Sequence, residues 1–419
     1  MDKSTRYKIF NDPVHGFITV PKGIILNLID HPYVQRLRRI RQMGLGNLVF
    51  PAAEHSRFSH ALGSLELMQR VLNNLREKDT TISRLEYEGS CIAILLHDVG
   101  HGPLSHTLEH ALIKNFNHEM MTLAIMRKIN RELDGELDTA IEIFTGEHPK
   151  PFLQQLVSSQ LDLDRLDYLK RDSFFTGVYE GSVGIERILK TMRVFNGHIV
   201  IEKKGIYAIE NYILARRLMY MQVYLHKTVL SADYLLRSII KRVSYLQQQG
   251  EKVTYSSASL KFFIQHKPDA ENGLTNQIIR HYLSVDDQDI FLSIRFWQYH
   301  DDPVLSDLSQ RFLNRRLFRT SFLKKAPLNS VKSHAWQQTK DMLQKSNIPH
   351  TDDIIPYYLG FEESYSEAYQ YKNDTIWILE DRDEAVEFSK AADTEHIIAL
   401  TEPVVKPYIV HLKEISLAK

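Results

Sequence analysis

A single cysteine, Cys91, occurs in 419 residues. No intrachain disulfide can form, and a reducing cytoplasm is the expected setting. Net charge is absent as well. The 52 Lys+Arg balance 52 Asp+Glu, so no global field of one sign advertises a nucleic-acid or membrane surface. No apolar run approaches the roughly 20 residues of a membrane helix, and the opening MDKSTRYKIFNDP has no apolar stretch of the signal-peptide kind. Internal repeats and low-complexity tracts are also missing. What is left is the expectation of a soluble globular chain, long enough for two or three domains or for one large core with an extension.

Histidine, by contrast, is abundant. Of 19 in the chain, seven fall between positions 55 and 118. The densest stretch is His97-Asp98-Val99-Gly100-His101-Gly102-Pro103-Leu104-Ser105-His106, directly after the apolar run Ile92-Ala93-Ile94-Leu95-Leu96. Burying a charged Asp98 at the end of a core helix without a partner is costly, and a cation removes the problem. Imidazole and carboxylate together suit divalent first-row metals. His60 upstream and Asp164 downstream complete a set of four N/O ligands, which leaves positions open for water or a phosphate oxygen on a six-coordinate ion. Mixed ligation of this kind admits manganese, iron, magnesium, zinc, nickel or cobalt. His101, His106 and His118 can serve phosphoryl chemistry, because imidazole titrates near neutral pH, with Glu109 or Glu119 to orient them. His55 and His110 are read as capping or surface residues.

Apolar spacing organises the rest. Residues 7–22 read as a hairpin, with Asp12-Pro13 and His15-Gly16 as turn chemistry. Helices are expected from Pro32 to Gly44, through His60 to Leu75, from about Leu85 to His97, and from near Ser105 and His118. The segment Leu161-Asp162-Leu163-Asp164-Arg165-Leu166-Asp167-Tyr168-Leu169 puts Leu161, Leu166 and Leu169 on one side of a helix, and Asp164, Asp167 and Arg171 on another. A long helical region spans 207–248. Strands at 375–379 and 396–400 flank a helix at 384–392. The expected architecture is mainly α: a core over 1–260 with its N-terminal hairpin, a helical extension over 261–331, and a small α+β segment over 332–419.

The order His60 … His97-Asp98 … Asp164 is that of the HD phosphohydrolases, which this chain resembles. Further segments sharpen the likeness: Phe10-Asn11-Asp12-Pro13-Val14-His15-Gly16, Gln35-Arg36-Leu37-Arg38, His55-Ser56-Arg57-Phe58-Ser59-His60, Asp162-Leu163-Asp164-Arg165-Leu166-Asp167-Tyr168, and Arg216 with Tyr224-Leu225-His226-Lys227. Over about residues 6–330 the chain is similar to the deoxynucleoside triphosphate (dNTP) triphosphohydrolases, namely the vertebrate SAM- and HD-domain enzyme and its bacterial dGTPase-like relatives. No SAM domain is expected. The resemblance implies an HD-domain helical core and hydrolysis at the α-phosphorus to deoxynucleoside and inorganic triphosphate, with dGTP a candidate favourite. It implies His60, His97, Asp98 and Asp164 as metal ligands, and His118 as general acid oriented by Glu109. His101 and His106 would face the α-phosphate. Arg57, Arg165, Tyr168 and Arg216 would hold the triphosphate, whose oxygens suit guanidinium forks. Gln42 and Asp172 would bond the sugar 3′-hydroxyl, and Tyr224 would fill the space of a 2′-hydroxyl, excluding ribose by shape.

Several family members are activated by nucleotides bound between subunits, so the resemblance also implies a homo-oligomer, a dimer or tetramer. Asp30, Gln35 and Arg38 match positions that read an activating guanine, with Lys8, Arg36, Arg315 and Arg319 around its phosphates. A helix-capping network is the competing reading of Asp30, Gln35 and Arg38. At a second activator site Arg187 and Lys204 match basic positions. However, Glu202 replaces an expected Arg and Ala208 an expected Asn, and an acid beside a phosphate is unfavourable. Two other functions compete: an HD phosphohydrolase of a monophosphate or cyclic nucleotide, and a non-catalytic nucleotide sensor or single-stranded nucleic-acid binder. Arg216, Tyr224 and Gln42 argue against the first. The intact ligand set and His118 argue against the second, for which a local basic patch such as Arg36, Arg38, Arg39 and Arg41 would serve.

Overall fold

The structure, a computed structural model, describes residues 7–366, 369, 375–381, 384–392 and 403–417, without the side chains of Ser105, His106 and His110. The molecule is mainly α-helical. Its centre is the helix Arg57–Glu77, packed against the helices Arg84–Leu96 and Leu163–Thr176. Each begins where a short polar side chain accepts from a backbone N–H left unpaired by the first turn. Ser56 accepts from Ser59, Asp162 accepts from Arg165, and Ser83 forms a reciprocal capping box with Glu86. The run Gly89 to Leu96 is buried on every side, so this helix ends in the interior and delivers His97-Asp98 there. Gly177, with φ of 73°, stops the Leu163–Thr176 helix in a left-handed conformation that glycine adopts freely.

The N-terminal hairpin is present, with Tyr7–Asp12 and Gly16–Pro21 paired from Tyr7↔Pro21 to Asp12↔Gly16. The expected Pro32-to-Gly44 helix is shorter. It runs over Pro32–Gln35, tightens to a 3-10 turn over Arg36–Arg39, and stops. Tertiary pairing overrides its periodicity: the Arg57 amide bonds the Ile40 carbonyl, the Gln42 amide bonds the His55 carbonyl, and Arg41 bridges to Ser56. The long region expected over 207–248 is two helices, Ile206–Met219 and Lys227–Gln248, separated by a π-turn over Tyr220–Tyr224.

The C-terminal segment adds strands to earlier ones. Trp377–Asp381 runs parallel to His198–Glu202, and Val404–His411 lies between Arg319–Phe322 and Gly360–Ser366. The strand expected at 375–379 is therefore present, shifted by two residues. The helix expected at 384–392 is instead a strand, Glu384–Glu387, followed by one turn, Phe388–Ala391. Pairing with Trp377–Asp381 claims those first residues. The strand expected at 396–400 lies outside the described residues. One hydrophobic cluster extends from Ile18 to Ile415. Among the described residues no helix is long and apolar enough to cross a membrane.

Candidate metal centre and nucleotide pocket

His60, His97 and Asp164 come from three different helix positions and meet. His60 Nε2 lies 3.3 Å from His97 Nε2 and 3.0 Å from Asp164 Oδ1, and His97 Nε2 is 3.4 Å from the same oxygen. The other nitrogen of each ring is already committed. His60 Nδ1 donates to Asp167 Oδ2 at 2.7 Å, and His97 Nδ1 donates to the Ile94 carbonyl at 2.6 Å. Both Nε2 lone pairs therefore face each other and a carboxylate inside the protein. That donor set is unfavourable alone and suited to a cation, with each imidazole held by an outer partner as metal-bound histidines are. In the absence of a cation, a proton takes its place. Burial lowers the His60 pKa, but hydrogen bonds with Asp164 and Asp167 outweigh it and raise the pKa to about 10. Burial likewise opposes ionisation of Asp164, and its bonds to His60 and His97 override that and push it down.

Asp98 stands beside this group. Its carboxylate is 3.4 Å from His97 Nε2 and 3.7 Å from His60 Nε2, accepts from Arg57 Nη1, and lies 3.1 Å from His101 Nε2. His101 stacks on His118 with ring centroids 3.8 Å apart and planes 16° from parallel. Burial, followed by the charge of Arg57, pushes the His101 pKa down, which keeps this imidazole neutral. His118 is held by Glu109, whose Oε1 accepts from both its Nδ1 at 2.9 Å and its backbone amide at 2.7 Å. His106 lies on the helix Ser105–Leu112, its side chain outside the described residues.

Next to Asp164 sit the predicted phosphate groups. Arg165 pairs through Nη1 with Asp162, and its Nε is buried without a partner among the described residues. Arg216 has two such nitrogens, Nε and Nη1. Burial raises the Tyr168 pKa, and the charges of Tyr220, Arg165, Arg216 and Asp164 all act on the same hydroxyl, so these groups share one neighbourhood. Tyr168 in turn meets Tyr224 edge-to-face at 6.2 Å. Tyr224 Oη donates to Asp172 Oδ2 at 2.7 Å, and Gln42 sits beside His55 through its backbone, its Oε1 buried without a partner among the described residues.

Sequence reasoning missed two supporting groups. His55 is neither a cap nor a surface residue: it is buried, stacked on Phe175, and bonds Asp172 Oδ1 through Nε2 at 2.7 Å. Its neighbour Arg57 was legible as functional, but nothing local to His55 signals a partner 117 residues away. Asp167, one turn after Asp164, was placed on the right face without its role as the partner of His60.

The residues matched to an activator are spread out. Lys8 pairs with Asp30 at 3.5 Å, Gln35 donates to the Ile29 carbonyl, and Arg38 donates to Gln35 Oε1 while covering Phe58. Those four share one surface. Arg36 is buried, its guanidinium spent on the carbonyls of His101 and Val285. Arg315 holds the Leu48 carbonyl, and Arg319 lines a cavity of about 470 Å³ with Lys227 and Lys413. Glu202 is enclosed by Lys78, Arg193 and Lys204.

The HD domain family matches residues 57–172, and the HD associated region matches 183–258. The chain is 36% identical to YwfO of Bacillus subtilis over 324 residues, covering 76% of this chain and 72% of that protein. It is 27% identical over 361 residues to the deoxynucleoside triphosphate triphosphohydrolase SAMHD1 of Bos taurus, covering 74% of this chain and 58% of the bovine protein. A crystal structure of a phosphohydrolase from Bacteroides thetaiotaomicron superposes with a TM-score of 0.92 at 39% identity, over 97% of this chain and 99% of that one. HD domains bind divalent metals, and His60, His97 and Asp164 form a group able to hold one. The chain belongs to the HD-domain phosphohydrolases and resembles, among them, the dNTP triphosphohydrolases.

Proposed function

We propose that this protein hydrolyses deoxynucleoside triphosphates to a deoxynucleoside and inorganic triphosphate. Water attacks the α-phosphorus, the bond to the 5′ oxygen breaks, and a proton goes to that oxygen. The observation that carries this reading is the continuity of the site. It runs from His60, His97 and Asp164 through guanidinium nitrogens of Arg165 and Arg216 that have no partner among the described residues to the Tyr168–Tyr224 pair and Asp172. Arg165 already has Asp162, but the buried Arg216 nitrogens have no hydrogen-bond partner among the described residues; that is costly, and a polyphosphate supplies what they lack. A monophosphate would leave Arg216 without a purpose.

The residues divide the work. A divalent metal, when bound, lowers the pKa of a water and polarises a phosphoryl oxygen. His60, His97, Asp164 and the adjacent Asp98 would hold it. His118, fixed at Nδ1 by Glu109, keeps Nε2 to hand a proton to the leaving 5′ oxygen. His101 faces the α-phosphate, a role that the family resemblance also implies for His106, and Arg57, Arg165, Tyr168 and Arg216 bind the triphosphate chain. Gln42 and Asp172 read the 3′-hydroxyl, with Asp172 held by His55. Tyr224, tied to Asp172, occupies the place of a 2′-hydroxyl. In this reading the protein works as a homo-oligomer in the cytoplasm. Lys8, Asp30, Gln35 and Arg38 form the part of the activator set that lies on one surface.

Product analysis tests the proposal. Each dNTP is incubated with Mn²⁺ or Mg²⁺, with and without GTP or a second dNTP, and nucleoside, monophosphate and triphosphate are resolved by ion-pair chromatography. Deoxynucleoside with intact triphosphate, lost in the His97→Ala/Asp98→Ala double variant, is the expected result. Release of monophosphate and phosphate, or no turnover under any pairing, would overturn it.

A further inference from the structure

The hairpin motif Asp12-Pro13-Val14-His15-Gly16 makes a turn, but its two polar side chains point into the core. Asp12 Oδ1 accepts the backbone N–H groups of Val14 and His15 at 2.9 Å, which closes the turn. His15 Nε2 bonds Asp167 Oδ1 at 2.6 Å, and both side chains are wholly buried. The second oxygen of Asp167 is the one that holds His60 Nδ1 at 2.7 Å. Arg171 spans the same carboxylate, with Nε 2.8 Å from Oδ2 and Nη2 3.0 Å from Oδ1, and turns Nη1 to Asp12 Oδ2 at 2.8 Å.

Asp167 thus accepts four hydrogen bonds, which fills the lone-pair sites of a carboxylate. Two come from Arg171, one from His60 and one from the hairpin. Gly63 makes room for the arrangement: a methyl group there would overlap Asp167 Oδ1 and Arg171 Nη2. His15 Nδ1 is buried without a partner among the described residues, so the ring is engaged only through the proton it gives Asp167. Placing that pair in the interior costs desolvation on both sides, which a turn on the surface would not need.

We propose that His15 is a positioning residue of the metal centre. By bonding Asp167 Oδ1 it fixes the carboxylate whose other oxygen orients the His60 ring, so that His60 Nε2 faces His97 and Asp164. Without that bond the carboxylate pivots on Arg171, and His60 loses its outer partner. The inference depends on the metal centre and is independent of which phosphate ester is cleaved.

The test uses the full chain, freed of metal by chelation, and reads Mn²⁺ affinity by calorimetry and the visible absorption of bound Co²⁺. His15→Met fills the space without a donor, whereas His15→Gln offers an amide N–H to Asp167. The Met variant should bind Mn²⁺ about 10–100-fold more weakly, the usual effect of losing an outer partner, and shift the Co²⁺ bands. The Gln variant should recover most of the affinity and the wild-type bands. Wild-type affinity in His15→Met, or a Gln variant no better than Met, would overturn the proposal. If His15→Met does not fold, His15→Gln must still bind within a few-fold of wild type, and its failure is equally fatal. Absence of Mn²⁺ and Co²⁺ binding by the wild-type chain would sink the metal centre and this inference with it.

Discussion

Arg216 and Asp233 illustrate opposite uses of a half-buried ionisable group. Two nitrogens of the Arg216 guanidinium have no partner among the described residues, and charge-assisted hydrogen bonds contribute roughly 1.5–3 kcal/mol each. Arg216→Met should therefore lower kcat/KM for a dNTP by about 100-fold, a loss of close to 3 kcal/mol. Its thermal stability without ligand should be unchanged or slightly higher, because two buried polar nitrogens without partners among the described residues have been removed. A sharp fall in Tm would make Arg216 structural. Asp233 accepts from Thr107 Oγ1 at 2.5 Å, and burial raises its pKa to about 6 against the pull of Thr107 and Arg237. The folded protein therefore binds this proton more tightly than the unfolded chain does. The stabilising contribution is complete below pH 4, falls as pH rises to about 6, and is absent above. Asn keeps the acceptor and cannot ionise. Relative to wild type, Asp233→Asn should gain stability between pH 4.5 and 7.5, by up to about 3 kcal/mol at 1.36 kcal/mol per pKa unit. Urea unfolding of the metal-free protein at the two pH values reads the difference.

At the scale of elements, glycine and a π-turn carry the constraints. Gly100 follows the His97-Asp98 pair, its N–H bonding Thr122 Oγ1, and a methyl there would overlap the His118 carbonyl and the Thr122 amide. Backbone cannot rotate out of the way as a side chain can. Gly100→Ala should cost about 1–3 kcal/mol, the usual range for overpacking. It should also reduce turnover more than stability predicts, because it pushes the loop that carries His101 away from the start of the helix His118–Glu132, where His101 stacks on His118. Thermal melting and kcat measured together decide this. The helices through His60, up to His97 and around Asp164 were legible from apolar spacing, whereas their caps Ser56, Ser83 and Asp162 were not read. The π-turn Tyr220–Tyr224 was not legible, since apolar residues continue through it at helical spacing. Yet it lies between the two long helices and ends on Tyr224, the residue bonded to Asp172. Such turns recur at functional sites.

For the whole molecule, ligation couples three helices. His60, His97 and Asp164 come from separate elements, so an ion bound there stabilises only the folded chain. At 100 times its dissociation constant the gain is about 2.7 kcal/mol. Mn²⁺ should raise the melting temperature by a few degrees, EDTA should reverse the rise, and His60→Ala and His97→Ala should each abolish it. Differential scanning fluorimetry across a Mn²⁺ series measures all three. An unchanged melting temperature at saturating metal would mean that the site is not formed by these residues.

Sequence alone determined the residue types of the centre, because His and Asp in the order His60, His97-Asp98, Asp164 suit few tasks other than holding a cation. It also determined the helical core, since apolar periodicity is local. Tertiary structure decided what each ligand leans on. The partners of His60, Asp172 and the His97 turn are Asp167 with His15, His55 with Tyr224, and Thr122. In a strand or helix, spacing reveals which face is buried, but not which distant side chain meets it. His15 and Asp167 are 152 residues apart, and only packing of the hairpin onto the Leu163–Thr176 helix makes them neighbours. Tertiary structure also ended the Pro32 helix early and sent Arg36 inward to the His101 carbonyl. Those backbone groups found better partners across the fold than along the helix.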